Sequence, residues 1–146
     1  MRGEKIYEYD LDITGVTDYG IAMESILAGQ QAVPPQGARF DVAIEGRVTG
    51  RLSGKLRGID YLRMRNDGRI ELDIRATIET DDGFRIAFSA GGVAVLRQGE
   101  PIADLYENVT LTTAASGYAW VNTRQIWAPG TVNLATNKIH VDGYMQ

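Results

Sequence analysis

At 146 residues, 44% of them apolar and 23% charged, the chain has the size and make-up of one globular domain, residues 1–146, whose core needs no covalent staple. It contains no cysteine and one histidine, His140, which excludes disulfides, thiolate metal sites, thiol nucleophiles and any His-rich zinc site built within one chain. The net charge of −4 argues against a polyanionic partner, and no run approaches the roughly 20 apolar residues of a membrane helix.

Residues 1–12 mix charged with aromatic and aliphatic side chains and lack the apolar stretch of a secretory signal, so a cytoplasmic protein with no membrane association is expected. The first predicted strand covers 4–14, where Tyr7, Tyr9, Leu11 and Ile13 alternate with Glu8, Asp10 and Asp12. Thr17 or Asp18 can then cap a short helix with Tyr19, Met23, Ile26 and Leu27 on its dry side, ending at Gly29. An irregular connection through Pro34-Pro35 leads to a strand at 39–50 and another at 52–65. The glycines at 46, 50, 54 and 58 recur every four residues, which fits either strong strand coiling or two plain turns. The clearest alternation follows at 69–80, where Ile70, Leu72, Ile74, Ala76 and Ile78 oppose a polar set. Asn66-Asp67-Gly68 before it and Asp81-Asp82-Gly83 after it carry residues that accept the positive φ angles of hairpin tips. Further strands are read at 84–96, 102–113, 118–128 and 138–145, with breaks at Gln98–Pro101, Ser116-Gly117, Ala128–Gly130 and 133–137.

Eight strands in succession with short turns predict an all-β fold, an eight-stranded antiparallel barrel with one short helix near the N-terminus, because closure removes exposed strand edges. At that strand number the interior is filled by side chains or holds one small ligand.

Within this pattern Glu45-Gly46-Arg47-Val48-Thr49-Gly50, Gly58-Ile59-Asp60-Tyr61, Asn66-Asp67-Gly68, Leu72-Asp73-Ile74-Arg75 and Thr80-Asp81-Asp82-Gly83 follow one another in order. This block, with a weaker continuation through Tyr118-Ala119-Trp120-Val121-Asn122, resembles an uncharacterised bacterial and fungal domain-of-unknown-function family of calycin-like, lipocalin-type barrels. The chain departs from that pattern at Glu45-Gly46, where the family has paired glycines, and at Tyr61, where it has tryptophan. The resemblance implies a calycin-like barrel with a small-molecule cavity and no particular reaction.

Asp60 shares its parity with Leu62 and Met64, which turns a carboxylate toward the dry side. Burial raises a carboxyl pKa and suits it to acid or base work, whereas a structural role would have it accept backbone N–H bonds near Gly58. Arg75 lies on the wet parity, as an ion-pair partner or, if the polar face lined the cavity, an anion clamp. Tyr118, Trp120 and Asn122 share one parity, as core or as a pocket wall, and Tyr61 and Tyr106 carry the same ambiguity. His140, opposite in parity to Ile139 and Val141, reads as exposed; facing inward, it would pair with Asp60 for proton transfer. The run Arg47, Arg51, Lys55, Arg57, Arg63 and Arg65 offers a surface for single-stranded nucleic acid, but solvated arginine is common on a barrel exterior and the overall charge opposes that reading.

No phosphate loop, dinucleotide fingerprint or metal-ligand cluster occurs, so no cofactor is expected. The expected function is interior binding of a small, largely apolar molecule, with Asp60, Tyr61, Arg75, Trp120 and Asn122 as leading contacts. The alternative is a cofactor-free isomerase, cyclase or hydrolase using Asp60 or His140 in the same cavity. Outward apolar residues, taken as Ile59, Val121 and Trp127, suggest a homodimer.

Overall fold

The structure is a computed structural model and describes residues 2–146. Alternating side chains fold as their period demands: β1 (Glu4–Asp18), β2 (Ala38–Gly50), β3 (Gly54–Met64), β4 (Ile70–Thr80), β5 (Arg85–Leu96), β6 (Ile102–Thr112), β7 (Ile126–Asn133) and β8 (Lys138–Met145). Each strand pairs antiparallel with the next, and β1 also pairs with β8, so the sheet closes into a barrel. Inward residues form one continuous apolar core, with the polar set of each strand outside. Among the described residues no helix is long and apolar enough to cross a membrane.

Three local readings are corrected. β1 runs on to Asp18, paired with Phe40, so Thr17 and Asp18 are strand residues and the helix α1 spans Met23–Leu27 behind Ala22. The segment read as a strand at 118–128 begins instead as a 3₁₀ helix, Ser116–Val121, and pairing resumes only at Ile126. Pro129-Gly130, read as a break, lies inside β7; Pro129, which has no N–H to donate, sits where the β7–β8 pairing lapses between Trp127 and Gly130.

The glycine series serves close packing as well as turning. A Cβ at Gly46 would collide with the backbone of Asp10 and Leu11, and one at Gly58 with that of Arg75 and Ala76, so these positions let adjacent strands approach. Gly50 and Gly54 bracket the β2–β3 hairpin.

The two ends of the barrel differ. At the end carrying the β2–β3 and β4–β5 hairpins, Tyr7, Leu52, Leu56, Ile78, Ile86, Leu111, Val121 and Ile126 fill the lumen and are almost wholly buried. Val121 therefore belongs to the core and not to an outer face. The opposite end carries α1 and the β3–β4, β5–β6 and β7–β8 turns, and there the lumen stays open.

Candidate functional site

The open half of the lumen is a cavity of about 190 Å³. Its walls are Leu11, Val42, Ile44, Leu72, Ile74 and Leu105, and Met23, Glu24 and Leu27 of α1 border its mouth. Aliphatic lining is what alternation on all eight strands provides. Two buried carboxyls break it, Asp60 from β3 and Glu107 from β6, at 7% and 4% exposure the only buried carboxyls among the described residues, beside the Tyr9 ring and, toward the mouth, Glu24 and Asn137. β3 and β6 stand three places apart around the ring, so the two groups project from opposing walls.

Their surroundings differ. Asp60 pairs with Val42 and Ile74 and accepts the backbone N–H of Asp73 at 2.9 Å through Oδ1. Glu107 pairs with Gly92 and Ala128, and its side-chain partner is Tyr9 from β1. The Tyr9 hydroxyl lies 2.7 Å from Oε1 and 2.8 Å from Oε2 of Glu107. Tyr9 also lines the cavity, stacks on Tyr7 and meets Phe88 edge-on.

Burial dominates the electrostatics. Loss of water pushes Asp60 up to about 6, against the Asp73 N–H bond, which favours the charged form. Glu107 is pushed up to about 8, by burial first, with the Tyr9 hydrogen bond acting the other way and the charge of Asp60 adding to the rise. Burial also holds the Tyr9 and Tyr7 hydroxyls far above the usual phenol range, and the Glu107 charge adds to it. Both carboxyls are pushed up, Glu107 further than Asp60, so of the two Glu107 holds its proton the more tightly. Among the described residues no lysine, arginine or histidine lines it.

Of the residues singled out from the sequence, the cavity contains Asp60. Tyr61, of opposite parity, points outward between Arg39 and Arg75, whose guanidinium carbons lie 5.3 and 5.9 Å from its ring centre. The Arg75 side chain is 72% exposed and 3.6 Å from Asp73, and it borders a shallow outer hollow with Arg39, Tyr61 and Arg63 without reaching the lumen. Tyr106 is exposed on the outer face of β6. Tyr118, Trp120 and Asn122 do not form one wall, because parity has no meaning along a 3₁₀ helix. The Tyr118 hydroxyl donates to Asp82 at 2.6 Å, the Arg51 guanidinium lies 3.9 Å from the Trp120 ring centre, and the Asn122 amide exchanges two 2.8 Å bonds with the Thr113 backbone.

His140 faces outward, with Nδ1 2.7 Å from Asp10 and Nε2 3.2 Å from Asp142, while its neighbours Ile139 and Val141 turn inward. The Asp60–His140 pair is therefore not assembled, and the Asp10 contact raises the imidazole pKa. Glu107 and Tyr9 are the site residues that the sequence reading did not single out. Both carried the signal that revealed Asp60: Glu107 shares parity with Ala103, Leu105, Val109 and Leu111, and Tyr9 with Leu11.

Solved structures share the whole architecture. A Clostridium acetobutylicum protein of unknown function is 20% identical, with a TM-score of 0.80 over 99% of this chain and 97% of that one. A β-barrel-like protein from Acinetobacter baumannii is 20% identical, with a TM-score of 0.76 over 99% and 94%. A Penicillium herquei protein described as an enzyme is 19% identical, with a TM-score of 0.66 over 99% and 94%. At such identities the likeness is one of fold. No curated protein matches the chain. Residues 21–145 match the model of the family described as "Protein of unknown function (DUF3237)", and the chain belongs to that family.

Proposed function

We propose that this protein is a calycin-like barrel that binds a small, largely apolar molecule in its interior, with the ligand's polar end against Asp60, Tyr9 and Glu107. The observation that carries this reading is the apolar cavity interrupted by two buried carboxyl groups. Burying a carboxyl is costly, and a core under no other demand would place aliphatic residues there. A dry cavity of about 150 Å³ is enough to take up benzene, so one of about 190 Å³ suits a single ring with a few further atoms. Nucleic acid is outside this reading, since in the basic run Arg47, Arg51, Lys55 and Arg65 are matched by Asp81, Glu4, Glu45 and Asp67. A cytoplasmic setting accords with the lack of cysteine, and the exposed Tyr106 and Trp127 of the β6–β7 outer face suit a homodimer contact.

Toluene and cyclohexanone are the probes of choice, with binding read from ligand line broadening in NMR and from the melting temperature. The wild-type protein is expected to bind both. Leu105→Trp, which fills the lumen, is expected to remain folded and bind neither. Absence of broadening for both probes with the wild-type protein would overturn the proposal.

A further inference from the structure

We infer that Asp60 and Glu107, the latter acting through Tyr9, form a proton-transfer pair that enolises a neutral, largely apolar carbonyl compound bound in the barrel. The inference rests on the binding reading above and adds a reaction and a substrate class to it.

Tyr9 Oη is within 2.8 Å of both oxygens of Glu107, so an ionised Glu107 uses the phenolic proton fully in this contact. A protonated Glu107 brings a second proton to the same three oxygens. One well-aligned bond uses one of them, and the other is left for an acceptor in the cavity that Tyr9 and Glu107 both line. A carbonyl oxygen is such an acceptor.

The opposing wall supplies the base. The Asp73 N–H held by Asp60 Oδ1 and the Tyr9 hydroxyl at Glu107 each favour a charged carboxylate, but no cation lines the cavity among the described residues, so two carboxylates there would repel each other. That repulsion leaves one of the two holding a proton, and Glu107, pushed up to about 8 against about 6 for Asp60, is the one that holds it more tightly, which casts Asp60 as base and Glu107 as acid. Two carboxyls whose surroundings hold them in different protonation states make an acid and a base that need no cofactor.

The step balances within the site. A C–H bond next to the carbonyl breaks, its proton goes to Asp60, and its electron pair forms the C=C bond of the enol. The carbonyl π pair takes the proton from Tyr9, which Glu107 replaces. Return of the proton from Asp60 to the same carbon gives exchange, and return to a conjugated carbon gives an isomer. The enol proton then goes back through Tyr9 to Glu107, and no oxidant or reductant enters. The substrate is neutral because a carboxylate would find no cation in the lining and would meet Asp60, with Glu24 at the mouth.

Exchange of the α hydrogens of cyclohexanone in D₂O, followed by proton NMR with toluene as a binding control, tests this. The wild-type protein is expected to speed exchange at least tenfold over buffer. Asp60→Asn should return exchange to the buffer rate, and Glu107→Gln should lower it about tenfold or more, as loss of a general acid or base does. A rate that rises with pH near 6 and falls near 8 would mark the two groups as reacting and not merely structural. Both variants keep side-chain shape, and melting curves check that they fold. Cyclohexanone broadened by the wild-type protein without faster exchange overturns the inference and leaves the binding reading intact. Toluene broadened without cyclohexanone overturns the carbonyl class alone, and neither broadened overturns both readings.

Discussion

Tyr7 and Tyr9 stack with ring centres 5.9 Å apart and planes 8° from parallel, yet the Tyr9 hydroxyl is bonded to Glu107 while that of Tyr7 is buried without a partner among the described residues. The two rings make the same kind of contact and differ in what their oxygens do. Tyr9→Phe leaves Glu107 buried and unmatched, and is expected to cost about 1–3 kcal/mol. Tyr7→Phe removes an unsatisfied hydroxyl and is expected to be neutral or stabilising. Urea unfolding of the two variants side by side reads this difference, and equal losses would contradict it.

The buried carboxyls make stability fall as pH rises. Asp60 and Glu107 bind protons more tightly when folded than when unfolded, so their favourable contribution is complete below pH 4 and is lost as pH passes about 6 and then about 8. The loss is on the order of a few kcal/mol for each group. His140, also raised, weakens in the same direction, but it is unchanged in a Glu107→Gln variant. The exposed aspartates with lowered pKa, such as Asp81, act oppositely and only in acid. Unfolding at pH 5, 7 and 9 should show Glu107→Gln with a shallower decline than wild type, by the larger amount between 5 and 7 and by a smaller one between 7 and 9.

Gly143 on β8 lies against the ring of Tyr7, and a Cβ there would collide with it. Gly143→Ala is expected to destabilise by about 1–3 kcal/mol, the usual cost of overpacking. Tyr7→Leu vacates that space, so the double variant should be more stable than the sum of the single changes predicts. Additivity within about 0.5 kcal/mol would show that the ring is not what excludes the methyl group.

Residues outside the lumen should be silent in binding. Arg75→Ala is expected to change stability by less than about 0.5 kcal/mol and to leave cyclohexanone binding and exchange as in wild type. Trp120→Phe should likewise leave probe binding unchanged. Arg51→Ala, which removes the cation from the Trp120 face, should cost about 0.5–1 kcal/mol without altering the cavity. Loss of probe affinity in Arg75→Ala or Trp120→Phe would move the site to the outer surface.

The barrel was legible because alternation of period two runs through seven of the eight predicted strands, and hairpin residues such as Asn66-Asp67-Gly68 separate them. Asp60 was legible for the same reason, as a charge in an inward series. Glu107 carries an equal signal, Leu105, Glu107, Val109 and Leu111, but two carboxyls 47 positions apart declare a shared cavity only when the ring closes. The Tyr118–Asn122 segment misled because an aromatic residue at every second position copies a strand, whereas its backbone bonds, Tyr118 to Ala115 and Asn122 to Ala119, have the three-residue reach of a 3₁₀ helix.

Closure between β1 and β8 has a consequence for acidity. Tyr9 stands on the strand that joins the two edges, and neither it nor the opposing carboxyls are shielded from water until that seam is shut. Between about pH 5 and 8, shutting the seam draws protons from solution onto Glu107, and at the lower end of that window onto Asp60 as well, and parting it releases them. The ring is thus its own proton sponge, and the uptake of protons on folding measures whether the last strand has found the first.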